Sequence, residues 1–241
     1  MKPSLLRRAG AELVGTYALV TAGCGAIIVN TTTGALTHVG VALTFGLIIT
    51  VMIAATGHLS GGHFNPAVTF AFALTRHFPW SEVVVYAGSQ LVGALAGALT
   101  LNALFGHVAN LGATLPNGST LQSLGLEVLL TALLMFVIIA VATDTRAVGQ
   151  LAALAIGATV ALNALWGGPI SGASMNPARS FGPALVAGVW RDQWVYWVGP
   201  FIGASIGAVI YQVLRTPSTG PAAREQAHQQ RDLPAHPEQT I

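Results

Sequence analysis

The chain has 241 residues, of which 53% are hydrophobic and only 7% are charged. A water-soluble surface carries about 25% charged residues, so this composition predicts a protein that lives in a lipid bilayer. The formal net charge of +2 is too small, and the basic residues are too scattered, to indicate a nucleic-acid-binding protein. A single cysteine, Cys24, excludes an intrachain disulfide and is expected to pack as a small apolar residue.

Several apolar runs are long enough to cross the hydrocarbon core as helices, which takes about 20 residues each. In chain order, the six runs are Ala9 to Asn30, Val39 to Thr56, Val83 to Leu104, Leu121 to Thr143, Gln150 to Trp166 and Trp194 to Leu214. Arg7 and Arg8 precede the first run, but no cleavage-site pattern follows it. We therefore expect this run to be a retained span rather than a cleaved signal peptide.

The distribution of arginines predicts the orientation in the membrane. With residues 1–8 in the cytoplasm, most Lys and Arg residues fall on the inside, and only Arg191 lies clearly outside. The segment 215–241 is rich in Pro, Gln and charge, and is predicted to be a disordered cytoplasmic tail. Both termini are then cytoplasmic, and the protein is multi-pass in the plasma membrane, or in the inner membrane of a bacterial cell.

A motif of eleven residues occurs twice within the apolar chain. Ser60 to Phe70 reads SGGHFNPAVTF and Ser171 to Phe181 reads SGASMNPARSF, with six identities. An asparagine side chain caps a helix well, and proline suits the first helical position because its missing N–H has no partner there. Each Asn-Pro-Ala triplet is therefore predicted to open a helix, and the pair of triplets indicates a pore.

The helices that begin at the triplets are too short to cross the membrane. They are predicted over Pro66 to Thr75 and Pro177 to Val189, each covering about half of the hydrocarbon core. The preceding residues, 60–64 and 167–175, are rich in Gly and small polar side chains and are predicted to be irregular. Irregular backbone occurs at membrane depth only inside protein or against a wet cavity, so both half-helices are predicted to be re-entrant.

A second motif also occurs once in each half. Glu12-x-x-x-Thr16 in the first run is answered by Glu127-x-x-x-Thr131 in the fourth, so each half has three spans and one half-helix. Because three is an odd number, the second half must enter from the opposite side, which predicts an inverted repeat over about residues 9–110 and 120–214. Glu12 and Glu127 are expected to brace the irregular backbone, and a direct part in transport is the alternative.

Together these features resemble the aquaporin, or major intrinsic protein, family over about residues 9–214. The resemblance is carried by the six spans, the repeated Glu-x-x-x-Thr and the triplets Asn65-Pro66-Ala67 and Asn176-Pro177-Ala178, the second followed by Arg179. The segment Gly168 to Asn176 is similar to plant nodulin-like intrinsic proteins and their bacterial relatives. Ser180, Ala184 and the Tyr196-Trp197 pair are typical of aquaporins proper rather than of glycerol facilitators. The family resemblance implies a homotetramer with one pore in each protomer.

The resemblance also implies which residues line the pore. Its narrowest part is expected at Phe45, Ala164, Ala173 and Arg179. Backbone carbonyls or side chains are expected to line the rest of the pore at Gly61, Gly62, His63, Gly172, Ala173 and Ser174. His63 is expected to line the pore without titrating, with a pH switch as the alternative. Phe45 alone is also compatible with a ring that faces lipid.

Two departures from the family pattern bear on selectivity. Water-selective members usually have His at the position of Ala164 and often Cys at the position of Ala173. Two alanines imply a wider, less polar opening, so we expect passage of water and also of glycerol, urea or uncharged metalloid hydroxides such as arsenite or boric acid. A strictly water-selective channel is the alternative.

Other function classes fit the sequence less well. A secondary transporter also uses inverted repeats and broken helices, but it needs a coupling-ion site, and no carboxylate is close to either triplet in sequence. An intramembrane enzyme needs a nucleophile with a base, or metal-ligand spacing, and the chain has no such pattern. An adhesive membrane protein would leave the triplets unexplained. We therefore predict a passive channel that excludes ions and protons, without catalytic residues, metal or cofactor.

Overall fold

The computed structural model describes residues 3–144, 147 and 151–215. Its helices are α1 (Leu5–Thr33), α2 (Thr37–Ser60), α3 (Pro66–Leu74), α4 (Trp80–Phe105), α5 (Thr120–Thr143), α6 (Ala152–Ser171), α7 (Pro177–Ala187) and α8 (Val195–Leu214). Six of them, all except α3 and α7, are long and apolar enough to cross a membrane. The described part of the chain contains no strand, so the protein is an all-α multi-pass membrane protein. The predicted tail lies outside the described residues, apart from Arg215.

The two half-helices begin where the triplets predict. α3 starts at Pro66 and has 9 residues, and α7 starts at Pro177 and has 11 residues. At about 1.5 Å per residue, neither is long enough to cross the roughly 30 Å hydrocarbon core. Six spans and two re-entrant half-helices therefore make up the fold, as the sequence predicts.

The predicted irregular backbone over 167–175 is wrong for its first half, because α6 continues through Gly167 and Pro169 to Ser171. Proline inside a helix removes one N–H donor and leaves the carbonyl four residues earlier without its partner. Here that carbonyl belongs to Leu165, and it accepts a hydrogen bond of 2.8 Å from His38 Nε2 on α2. The side chain of His38 thus replaces the lost bond. Ser60 likewise ends α2 rather than opening the loop.

The packing of the helices in the first half of the chain is repeated in the second half. α1 packs on α2 and α4, and α5 packs on α6 and α8 in the same way. The half-helices are exchanged between the halves, because α3 packs on α8 and α7 packs on α4, while α2 and α6 pack on each other. This pattern is the one that an inverted repeat of three spans produces. The exact residue boundaries of the two repeats stay a prediction.

A left-handed turn lies between α4 and α5. Its residues are Ala109, Asn110, Leu111 and Gly112, and their φ angles are 50°, 49°, 54° and 72°. Each non-glycine residue in this conformation costs roughly 1–2 kcal/mol, so packing around the turn must hold it in place. Leu111 is fully buried and the turn packs on α1 and α7.

Glycines bring the paired helices into backbone contact. A Cβ atom at Gly203 or Gly207 of α8 would collide with the carbonyl oxygen of Val128 or Ala132 on α5. Gly93 of α4 lies in the same way against the backbone of α1, at Leu13. In lipid the hydrophobic effect does not drive helices together. Close packing of this kind is therefore a main source of stability for helix pairs in a membrane.

Replacing Gly207 with Ala should therefore destabilise the fold. The added methyl group forces α8 away from α5, and overpacking of this kind costs about 1–3 kcal/mol. The measurement is the thermal unfolding midpoint of the detergent-solubilised protein. The matched control is Gly125→Ala on α5, where a Cβ would meet nothing within 4 Å. Equal midpoints for the two variants would contradict close backbone packing at Gly207.

Candidate functional site

The two Asn-Pro-Ala triplets cap their own half-helices. Asn65 Oδ1 accepts a hydrogen bond of 2.9 Å from the N–H of Ala67. Asn176 Oδ1 accepts bonds of 3.0 Å from Ala178 and 3.3 Å from Arg179. Both asparagines are buried and have extended backbone, as N-cap residues do. Each side-chain oxygen is therefore occupied, and each amide nitrogen points away from its own helix.

The amide nitrogens join the two half-helices head to head. Asn65 Nδ2 donates to the carbonyl oxygen of Met175 at 2.7 Å, and Asn176 Nδ2 donates to that of Phe64 at 2.9 Å. An amide NH₂ group has two N–H donors, so each asparagine keeps a second one. The positive dipole ends of α3 and α7, each equivalent to roughly half an elementary charge, consequently meet inside the protein.

The loop before α3 is braced by Glu12 of α1. Its Oε1 accepts from the N–H of His63 at 3.0 Å, and its Oε2 accepts from the N–H of Phe64 at 2.6 Å. Oε2 also accepts from Gln90 Nε2 of α4 at 2.8 Å. The loop needs such acceptors because its backbone, with φ 97° at Gly61 and 48° at Phe64, leaves helical geometry, so that the N–H groups of His63 and Phe64 have no helical carbonyl as a partner.

Glu127 of α5 holds the loop before α7 in the same way. Its Oε1 accepts from the N–H of Ser174 at 2.9 Å and from Ser171 Oγ at 2.8 Å. Its Oε2 accepts from the N–H of Met175 at 2.8 Å. Glu12 and Glu127 are both fully buried, and neither side chain lines the two cavities that share Arg179. Both side chains therefore act on the loops.

Two cavities lie in series along the axis that the half-helices define. The inner cavity, of about 60 Å³, is bounded by Asn65, Asn176 and the loop before each half-helix. The outer cavity, of about 410 Å³, lies between the ends of α1, α2 and α6 and the segment that precedes α5. Four residues line both cavities and thus form the boundary between them: Phe45, Ala164, Ala173 and Arg179.

The inner cavity has one polar wall and one apolar wall. Gly61, Gly62, His63 and Ser174 of the two loops line the polar wall, and Gly172 lines the outer cavity. The apolar wall is formed by side chains of the spans, namely Leu19, Ile49, Ile53, Leu134, Ile138, Ala142, Ile156 and Val160. His63 is turned into an aromatic cluster, where its Nδ1 lies 3.0 Å from Thr69 Oγ1 and its ring stacks on Phe72.

Arg179 supplies the charge at the boundary. Its side chain is buried, and its Nη1 donates to the carbonyl oxygen of Gly112 at 2.8 Å. Its guanidinium carbon lies 4.9 Å from the centre of the Phe45 ring, which is a cation–π distance. In the described residues no carboxylate forms an ion pair with Arg179, so its positive charge stays in the passage. Phe45 is buried, and this overturns the alternative that it faces lipid.

Sequence reasoning missed two partners of these residues. The left-handed turn 109–112 supplies the acceptor for Arg179, and only Asn110 and Gly112, which tolerate positive φ, signal it in the sequence. Gln90 connects Glu12 with Thr69 on α3 through bonds of 2.8 and 3.0 Å. In the sequence, the signal for this connection is a lone Gln within an apolar run.

No group of three or more His, Cys, Asp or Glu that suits a metal occurs in residues 3–144, 147 and 151–215.

Glu127→Gln should weaken the loop before α7. A glutamine amide nitrogen donates and does not accept, so at least one of the three donors that face Glu127 loses its partner, which costs about 1–3 kcal/mol. The measurement is the thermal unfolding midpoint, together with water permeability in proteoliposomes. The control is the reverse exchange, Gln122→Glu, at an exposed position of α5. The bracing role fails if both variants unfold at the wild-type temperature.

Comparison with known proteins shows similarity over most of the chain. The family model for Major intrinsic protein matches residues 1–211. Aquaporin NIP1-1 from Oryza sativa subsp. japonica is 55% identical over 207 residues, which cover 85% of this chain and 73% of that protein. Nodulin-26 from Glycine max is 49% identical over 212 residues, which cover 87% of this chain and 78% of that protein.

A solved structure matches as well. The aquaglyceroporin from Plasmodium falciparum superposes with a TM-score of 0.75 and 26% sequence identity, and the match covers 92% of this chain and 100% of that one. The fold, the head-to-head half-helices and the extent of these similarities lead to one conclusion. The chain belongs to the major intrinsic protein family, the family of the aquaporin channels.

Proposed function

We propose that the protein is a passive channel for water and small uncharged solutes, and that it excludes ions and protons. The observation that carries this proposal is the pair of cavities in series, which share Phe45, Ala164, Ala173 and Arg179 as their boundary. A solute that passes this boundary meets polar backbone on one side and apolar side chains on the other. It can exchange its hydrogen bonds with water for bonds with the channel wall.

Ion exclusion follows from the charges along this path. The dipole ends of α3 and α7 and the guanidinium of Arg179 all present positive charge, so a cation is repelled at two successive places. A small anion finds an apolar wall opposite these charges and would have to shed its water. Asn65 and Asn176 offer N–H donors to a passing oxygen atom and orient each molecule at the midplane. This mechanism needs no coupling ion, whereas a secondary transporter does.

The small side chains at two of the four boundary positions support a solute range beyond water. Ala164 and Ala173 contribute only methyl groups, so Phe45 and Arg179 are the large side chains there. Such an opening suits glycerol, urea or an uncharged metalloid hydroxide. The similarity to Aquaporin NIP1-1 and Nodulin-26 supports a channel of this class. A strictly water-selective channel is the competing proposal, and solute fluxes in proteoliposomes decide between the two.

The assembly and the location of the protein are part of the same proposal. We expect a homotetramer with a pore in each protomer, because the family resemblance implies it. The protein would lie in the plasma membrane, or in the inner membrane of a bacterium, with both termini in the cytoplasm. Arg8 and Glu82, paired at 2.6 Å, tie the beginning of α1 to that of α4 on the side that we assign to the cytoplasm.

Ala164→His tests the solute range. The imidazole ring fills the space that a carbon backbone needs, whereas a single water molecule can still pair with the new ring and with Arg179. We expect glycerol permeability to fall by about tenfold or more relative to water permeability, as when a tight pocket loses the room of a methylene group or more. Stopped-flow light scattering on proteoliposomes with matched protein content measures the ratio.

The control for this test is Ala158→His, the same substitution on an exposed face of α6. It should leave the glycerol-to-water ratio at the wild-type value. If Ala164→His keeps the wild-type glycerol-to-water permeability ratio, Ala164 is not part of the boundary. If wild-type glycerol flux is also absent, the result favours the strictly water-selective channel.

Arg179→Val tests the exclusion of ions. Without the guanidinium, the outer positive charge disappears, and we expect proton leak to rise while water permeability stays comparable. A pH-sensitive dye inside proteoliposomes reports the leak after a pH jump. Arg191→Val is the control, because the side chain of Arg191 is 68% exposed and lies outside both cavities. Proteoliposomes as tight as wild type would show that Arg179 is not the barrier.

A further inference from the structure

Two adjacent residues of α1 contact the boundary between the cavities from behind. Gly23 and Cys24 are buried and line neither cavity. We infer that Gly23 and Cys24 are positioning residues, which fix the places of Phe45 and Arg179 and thereby the selectivity of the channel. This inference rests on the proposed function, because it assumes that Phe45 and Arg179 form the selective boundary.

Gly23 determines how closely the Phe45 ring approaches α1. A Cβ atom at position 23 would overlap the ring itself, at Cε1, Cδ1 and Cζ. The ring therefore lies directly against the backbone of α1 on one side. Arg179 is next to the same ring, and its guanidinium carbon is 4.9 Å from the ring centre. Any atom added at position 23 must displace the ring, and we expect the displaced ring to narrow the boundary that it shares with Arg179.

Cys24 determines where the Gly112 carbonyl lies. A Cβ atom built at Gly112 would be 2.8 Å from Cys24 Cβ and 3.0 Å from Cys24 Cα, so the two backbones are in close contact. Cys24 Sγ lies 3.8 Å from the Gly112 carbonyl oxygen, as a weak S–H donor does. That same oxygen accepts the 2.8 Å bond from Arg179 Nη1. Cys24 thus supports the acceptor that holds Arg179.

The turn at 109–112 needs this support. Four successive residues with positive φ form a strained segment, which persists only when its surroundings hold it. A longer side chain at position 24 would displace the turn, and the hydrogen bond to Arg179 would break with it. One short stretch of α1 therefore positions both the Phe45 ring and the Arg179 guanidinium.

The first experiment compares Gly23→Ala with Gly25→Ala. Both variants add a methyl group to the same helix, but at Gly25 the new atom would meet only Leu101 Cδ2, the movable end of a side chain, at 3.3 Å. Gly23→Ala should lower the glycerol-to-water permeability ratio by about tenfold, since a displaced ring narrows the passage. Gly25→Ala should keep the wild-type ratio. Equal ratios in the two variants would overturn the role of Gly23.

The second experiment compares Cys24→Leu with Cys24→Ser, and it tests the role of α1 in positioning Arg179 independently of Gly23→Ala. Serine keeps the size and the donor of cysteine, whereas leucine forces the turn at 109–112 away. We expect Cys24→Leu to increase proton leak by about tenfold at comparable water permeability, as an unanchored Arg179 leaves its place. Cys24→Ser should stay as tight as wild type. Equal leak in both variants would overturn the role of Cys24.

The outcomes separate this inference from the proposed function. If Ala164→His and Arg179→Val change selectivity while Gly23→Ala and Cys24→Leu do not, the boundary exists and α1 does not position it. If all four variants keep wild-type selectivity, the boundary itself is misassigned and the proposed function loses its basis. The thermal unfolding midpoints of Gly23→Ala and Cys24→Leu are compared with those of Gly25→Ala and Cys24→Ser. Similar midpoints show that an altered permeability ratio or proton leak is not a consequence of partial unfolding.

Discussion

Backbone that leaves the helix inside a membrane must find hydrogen-bond partners within the protein, and every other feature of this channel depends on how that is done. The loops at 61–65 and 172–176 connect α2 to α3 and α6 to α7. Glu12 and Glu127 supply the acceptors for their N–H groups. With these N–H groups satisfied from behind, the loops are free to present their other polar groups to the passage. The apolar composition of the chain and its polar path are thus compatible.

The two halves share this solution but differ at the residue that follows each triplet, where we propose that selectivity arises. After the first triplet the chain has Val68, and after the second it has Arg179. The two halves therefore form a symmetric scaffold, and one difference between them places a single guanidinium on one side of the midplane only. The support of the loops differs too, because Gln90 adds a donor to Glu12 and Ser171 adds one to Glu127. Symmetry provides the fold, and its local loss makes the two sides of the midplane chemically different.

Much of this architecture could be predicted from residue types and spacing. Asn-Pro at a helix start, apolar runs of sufficient length and an odd number of spans per half are local or countable features. The end of α6 was mispredicted because its stability depends on a contact that is distant in sequence, between His38 and the carbonyl of Leu165. The turn at 109–112 was missed for a similar reason. Its backbone conformation is unfavourable by itself, and it is held by contacts that are distant in sequence, among them those with Cys24 and Arg179.

The bond between His38 and Leu165 also has a mechanical consequence. His38 and Phe45 lie on α2, and Leu165 follows Ala164 directly on α6. The bond therefore joins two helices that pack on each other and carry neighbouring parts of the boundary, Phe45 and Ala164, at the outer cavity. Any separation of α2 from α6 at this end, for example under lateral tension in the bilayer, would have to break this bond.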